Sequence, residues 1–163
     1  MITKGFIVMS MFCLTACYSF KGISIAPEVN TFSIDQVLDQ SYNAPATYAI
    51  DFSEALTNKI RKESRLILNN QNPDIVFKCK VTAFGVASQA PVPGVSSAIN
   101  RLTVTIEVEF VNKQDEKLNW KSPFTRYQDF DAGKNFSTEQ QRLTSDINGL
   151  LIEDIFNKAF TNW

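Results

Sequence analysis

The chain has no histidine, only three cysteines in 163 residues, and no surplus of either charge. Without imidazole the commonest general base is gone, and with it the Ser–His and Cys–His pairings and most zinc and copper sites. Carboxylate and lysine chemistry survive that argument, yet no paired-acid pattern or cleft-forming insertion stands out, so the expectation is a protein that is not an enzyme and needs neither metal nor cofactor. Lys+Arg of 16 against Asp+Glu of 17 leaves no global field for nucleic acid; a basic patch for an anionic lipid has to be local. The apolar run near the N-terminus falls well short of the ~20 residues that span a bilayer.

That N-terminal run is nonetheless the most informative stretch present. Lys4 supplies a positive start, Phe6 to Leu14 an apolar segment of signal-peptide length, and Thr15-Ala16 the small pair that a signal peptidase needs. Cys17 then stands at the first mature position. This is a bacterial lipobox: the Cys17 thiolate accepts a diacylglyceryl group before cleavage. Residues 1–16 are read as a lipoprotein signal peptide, 17–22 as a lipidated tether and 23–163 as a single domain. The 163 residues less these 16 leave 147, enough for one proper core and too few for two. Acyl chains contribute about 0.8 kcal/mol per buried CH₂, so anchoring to the membrane needs no amphipathic helix.

Cys13 leaves with the signal and Cys17 is acylated, so Cys79 has no partner within the chain. An exported domain of this size without a disulfide is held by its core alone. The place of Cys79 in an alternating run makes it a buried free thiol rather than a redox group.

The hydrophobic periodicity predicts six elements. A strand is expected around 30–38, followed by a loop over 39–49. A helix is expected from about Asp51, with Asp51 and Glu54 as a capping box, Phe52, Leu56, Ile60 and Ile67 on its apolar side, and Asn69 to Pro73 as its stop. Two strands of period two follow. Ile75, Phe77, Cys79, Val81 and Ala83 share one face of the first, with Lys78, Lys80 and Thr82 opposite; Leu102, Val104, Ile106, Val108 and Phe110 alternate with Arg101, Thr103, Thr105, Glu107 and Glu109 in the second. A fourth strand begins at Leu118-Asn119-Trp120, where Pro123 requires an edge or a bulge. Ser137 to Gln140 reads as the capping box of a last helix with a stripe of Leu143, Ile147, Leu150, Leu151, Ile155 and Ala159, widened by Ile152, Phe156, Phe160 and Trp163. The order β-α-β-β-β-α gives an α+β two-layer sandwich, two helices on one face of a four-stranded, mainly antiparallel sheet.

Four stretches together carry a resemblance: Cys17-Tyr18-Ser19-Phe20-Lys21-Gly22, Asn100-Arg101-Leu102-Thr103-Val104, Phe124 to Asp131, and Glu153 to Trp163. They resemble the lipopolysaccharide-assembly lipoproteins of the LptE type over essentially the whole mature chain, the C-terminal stretch being the most specific part. The resemblance implies an outer-membrane lipoprotein facing the periplasm and seated inside a large LptD-type β-barrel, acting as plug and assembly factor while lipopolysaccharide enters the outer leaflet. It implies two helices on a four-stranded sheet and brings no catalytic residues. Tyr18 rather than Asp after Cys17 permits outer-membrane delivery under enteric-type sorting. The rival reading is a free periplasmic lipid-binding lipoprotein without a barrel partner.

Three sets of residues are candidates for contact. Lys78 and Lys80 protrude from one sheet face, with Arg101 on the neighbouring strand, a set of cations able to hold lipid A phosphates; the competing reading is a solvated face balanced by Glu107 and Glu109. The loop Pro91-Val92-Pro93-Gly94-Val95 is long and apolar for a hairpin connection, and its prolines lower the entropy cost of docking, which suits insertion into a barrel lumen. Arg126, Tyr127, Asp129 and Asp131 offer too few regularly spaced oxygens for a calcium loop, so partner contact or an internal Arg–Asp bond is expected.

Overall fold

A computed structural model describes residues 22–90 and 98–161. Six strands form one sheet: β1 (Thr31–Ile34), β2 (Leu38–Asp39), β3 (Ile67–Leu68), β4 (Ile75–Ser88), β5 (Ile99–Asn112) and β6 (Trp120–Asp131). Two helices, α1 (Tyr48–Glu63) and α2 (Phe136–Phe160), cover one of its faces. The expected α+β class holds, with a sheet two strands larger than the periodicity suggested. Spatial order is β3-β1-β4-β5-β6, with β2 also paired to β4. The β4-β5-β6 part is antiparallel, whereas β1, β2 and β3 pair in parallel.

The long strands form because their alternation matches the pleat. On β5, Leu102, Val104, Ile106 and Val108 are each fully buried, and the intervening residues stay partly exposed. Each such side chain contributes roughly 1.5–3 kcal/mol by leaving water. On β4 the alternation slips. A bulge between Val81 and Ala83 leaves Thr82 as an extra residue, so Phe84 takes the core position expected of Ala83. Pro123 sits on β6, which among the described residues pairs with β5 alone and so tolerates a missing amide hydrogen.

Several boundaries differ from the sequence reading. The expected first strand splits into β1 and β2, which run one after the other along the same side of β4; Asp35 N donates to Phe77 O and Gln40 N to Val81 O around the interruption. Helix α1 starts three residues before Asp51, with Thr47 as N-cap and no side-chain cap bond, so the Asp51–Glu54 box does not form. It ends at Glu63, where both the Ser64 amide and its hydroxyl donate to Ile60 O. Ile67 therefore lies on β3, 67% exposed, rather than on the helix. In α2 the cap is Asn135, whose Oδ1 accepts from Ser137 N at 3.0 Å; Glu139 binds Arg142 and Lys134 instead of closing a box. Leu150 points outward while Leu143, Ile147, Leu151 and Ile155 are fully buried. The strand expected from Leu118 begins at Trp120, because Glu116–Leu118 forms a 3-10 turn capped by Asp115.

The helices are joined to each other by polar contacts as well as by packing. The Tyr48 hydroxyl donates to Asn148 Oδ1 at 2.5 Å, both residues being buried, and Lys59 reaches Glu153. Burial raises the Tyr48 phenol far above its ordinary range. Aromatic rings fill the end of the sandwich nearest the N-terminal segment: Phe77, Phe110 and Phe160 meet edge to face, and Trp120 stacks on Phe110. Cys79 is a free, buried thiol, as expected, and burial pushes it up to about 12.

Candidate functional site: the uncovered sheet face

With the helices on one side, the other face of β4-β5-β6 meets solvent. Register decides which side chains stand together there. Lys78 lies opposite Glu109, and Lys80 opposite Glu107; Lys121 of β6 lies opposite Glu109. Lys78 Nζ sits 2.8 Å from Glu109 Oε1 and Lys121 Nζ 2.9 Å from Glu107 Oε1. The hydrogen bond from Lys78 lowers the Glu109 carboxyl below its usual range and raises Lys78 in turn. Lys80 makes no ion pair among the described residues. Further along, the Thr105 and Thr125 hydroxyls bond across strands at 2.9 Å.

Arg101 occupies the far end of the same face. It grips Asp129 with two bonds, at 2.7 and 2.9 Å, and its guanidinium lies 3.8 Å from the centre of the Tyr127 ring. That pairing lowers Asp129 and raises Arg101. Arg101 pairs in register with Ala87, six residues along β5 from the Glu107 that faces Lys80. At ~3.4 Å per residue this is about 20 Å. Arg101 is thus on the strand next to Lys78 and Lys80, as expected, but the sheet does not gather the three cations into one cluster.

The remaining acidic candidates also resolve into pairs. Arg126 turns to the helix side and holds Asp154 of α2 at 2.6 and 2.7 Å, and Asp131 Oδ1 accepts from Gly133 N within its turn. Of the two readings expected for this cluster, partner contact or an internal Arg–Asp bond, the second is seen twice, as Arg101–Asp129 and Arg126–Asp154, with pairings that depend on strand register and on α2. Among the described residues no cluster of three or more acidic or cysteine ligands can hold a metal. No helix among them is long and apolar enough to cross a membrane. Cys17 and the loop Pro91 to Val95 lie outside the described residues.

The two ends of the sandwich differ. At one end Ser24 N donates to Phe160 O at 2.7 Å and Ile23 bridges Thr161, which ties the start of the domain to the end of α2. A cavity of about 320 Å³ opens there between Ile75, Phe110, Trp120, Phe160, Lys117 and Lys158. From Ile75, β4 runs thirteen residues to Ser88, about 40 Å at ~3.3 Å per residue. β4 therefore ends, and β5 begins, at the end remote from Gly22.

Comparison with known proteins agrees with this architecture. A minor lipoprotein from Acinetobacter baumannii superimposes with a TM-score of 0.50 at 12% identity, covering 81% of this chain and 96% of that one. A neuraminyllactose-binding hemagglutinin homolog from Helicobacter pylori gives 0.55 at 9% identity, with 86% and 88% covered. A PelC dodecamer from Paraburkholderia phytofirmans gives 0.51 at 11% identity, with 85% and 95% covered. At such identities the likeness is one of fold. Among curated proteins no sequence relative matches. The family match is of a different kind: the LptE profile, described as lipopolysaccharide-assembly, covers residues 29–159, from two residues before β1 nearly to the end of α2. The chain belongs to the LptE lipopolysaccharide-assembly family.

Proposed function

We propose that the chain is a non-catalytic lipoprotein of the outer membrane, anchored by acylated Cys17 and facing the periplasm, that works in lipopolysaccharide assembly from inside an LptD-type β-barrel partner. The family match over residues 29–159 carries this reading. The geometry supports it in two ways. One sheet face is left uncovered, and Lys78, Arg101 and Lys121 are paired there with Glu109, Asp129 and Glu107, so these charges can lie against a barrel wall already neutralised, with Lys80 left for a partner group. The hairpin also extends about 40 Å from the anchored end, more than the ~25 Å apolar band of an outer-membrane barrel. An anchored domain seated in the lumen would therefore carry the Pro91-Val92-Pro93-Gly94-Val95 loop past that band.

Its mechanism would be occupancy: the domain stabilises the barrel and controls passage of the lipid. Lys78, Lys80 and Arg101 are the proposed contacts for lipopolysaccharide phosphates. Lys80, with no ion pair among the described residues, would make the first contact. Lys78 and Arg101 would have to exchange Glu109 and Asp129 for the phosphate.

The deciding experiment is affinity purification of the tagged, lipidated protein from native membranes, with copurifying chains identified by mass. A near-stoichiometric large β-barrel retained in high salt is the expected result. Recovery of the lipoprotein alone, with bound lipid, would overturn the seated reading in favour of a free lipid-binding lipoprotein. Charge reversal at Lys78 and Lys80 that leaves lipopolysaccharide binding unchanged would remove those two from the contact set.

A further inference from the structure

The two sides of β4 are not equally covered. On one side β5 accompanies it to Ser88; on the other, β1 and β2 stop at the Asp39–Val81 pair. Beyond that point no strand among the described residues pairs with β4 on that second side. The open stretch Thr82 to Ser88 carries neither charge nor proline, and every residue in it except Phe84 is exposed. Natural sheets blunt such edges with lysine, proline or a covering loop. The opposite edge of this sheet, β6, carries Lys121 and Pro123. Among the described residues the β4 edge from Thr82 to Ser88 carries no lysine or proline and pairs with no strand on that side, which leaves it open to pairing.

Its order of residues identifies the partner. Around Gly85 the segment is a chemical palindrome: Phe84 and Val86 are apolar, Ala83 and Ala87 are identical, and Thr82 and Ser88 are hydroxylic. An antiparallel pair of two such segments, related by a two-fold axis at Gly85, puts each residue opposite its like. That self-complementarity is what an isologous interface requires. The faces agree as well. Phe84 is buried on the helix side of the sheet, and Val86, two residues on and 42% exposed, shares that side. In the pair, the Val86 side chain would meet Phe84 of the other copy. The Ser41–Asn43 turn stands beside the edge and leaves a groove along Ala83 to Ala87, so the approach is open.

We propose that Thr82–Ser88 is a self-association edge through which a second copy of this chain adds strand to strand, joining two sheets into one. The association concerns the chain outside a barrel, because a domain seated in a lumen would present this edge to the barrel instead; it rests on the edge and not on the identity of that partner.

The test uses the full, lipidated chain purified in detergent, free of other proteins. Residues directly opposite in an antiparallel pair have Cα atoms ~4.5–5.5 Å apart, inside the ~4.4–6.8 Å that a disulfide spans. A Cβ at Gly85 meets nothing within 4 Å, so Gly85→Cys is tolerated by the fold. Under mild oxidation Gly85→Cys is expected to form a covalent dimer at least about tenfold faster than Thr103→Cys, its register neighbour on β5. The parent chain, whose Cys79 is buried, serves as the blank. Adding Val86→Lys, an exposed position that leaves the core intact, is expected to abolish the crosslink by placing like charges at the seam. Light scattering should give twice the chain mass for the parent and the single mass for Val86→Lys. A monomeric parent at every concentration, with Gly85→Cys no faster than Thr103→Cys, would overturn the proposal.

Discussion

Asp74 clips three separate parts of the chain together, and replacing it with Asn separates the role of its charge from that of its shape. Its Oδ2 accepts from the amides of Asn30 and Thr31 at 3.0 and 2.9 Å and from the Thr31 hydroxyl at 2.8 Å. Its Oδ1 accepts from Gln114 Nε2 at 2.8 Å, beyond β5. The start of β1, the start of β4 and the β5-β6 turn are thereby pinned to one carboxylate. The Asn30 amide first, then Gln114 and Thr31, hold that carboxyl at about 2. Removing a charged hydrogen-bond partner typically costs ~1.5–3 kcal/mol, and the partly exposed position screens the cluster, so Asp74→Asn should cost about 2 kcal/mol in total. For a domain of this size that corresponds to a melting point lower by about 6–8 °C.

The pH dependence of the loss is the sharper prediction. With a folded value of about 2 and an unfolded one near ~3.9, the unfolded state binds more protons between the two, so stability rises with pH there. The contribution of Asp74 is complete above about pH 4 and fades as pH falls toward about 2. Thermal melts of the parent and Asp74→Asn, followed by circular dichroism from about pH 7 down to about pH 2.5, should therefore converge at the acid end. A gap of constant size across that range would refute the assignment and leave only a steric role for the residue.

Other substitutions probe the core and the helices. Gly149 lies in the exposed part of α2 with nothing within 4 Å of an added Cβ, so Gly149→Ala should stabilise the fold by about 0.5–1 kcal/mol in urea melts. Leu151 is fully buried, and Leu151→Ala should cost about 2–5 kcal/mol in the same assay. Burial raises the Cys79 thiol to about 12, so a thiol reagent near neutral pH should label the native chain only as fast as it unfolds; rapid labelling without unfolding would contradict the packing around β4. Arg126→Ala, which removes the exposed Arg126–Asp154 pair, should leave the urea midpoint nearly unchanged despite the two bonds lost, because solvent screens exposed pairs.

Where the alternation was long, the residues were legible before any coordinates. The buried stripe of β5 and that of α2 follow directly from period two and period 3.6, since ten or more residues repeat the same in-out message. Short elements carry no such redundancy. Two-residue strands such as β2 and β3 exist only because β4 and β1 lie alongside to pair with them. Ile67, apolar and at helical spacing from Ile60, reads as part of α1 from periodicity alone; the local bonds of Ser64 to Ile60 O end the helix first. The bulge at Thr82 was equally hidden, because an inserted residue changes which face follows without changing the composition.

The candidate site divides in the same way. The sequence by itself determined the outward placement of Lys78, Lys80 and Arg101, the absence of imidazole chemistry and the buried state of Cys79, all of which depend on local pattern. Only the tertiary structure decided that Lys78 is held by Glu109 while Arg101 sits about 20 Å from Lys80, clasped to Asp129. Such partnerships are set by the register between strands and by where a helix crosses the sheet. Register is a sum of many weak contacts between residues far apart in the chain, and no local stretch of sequence contains it.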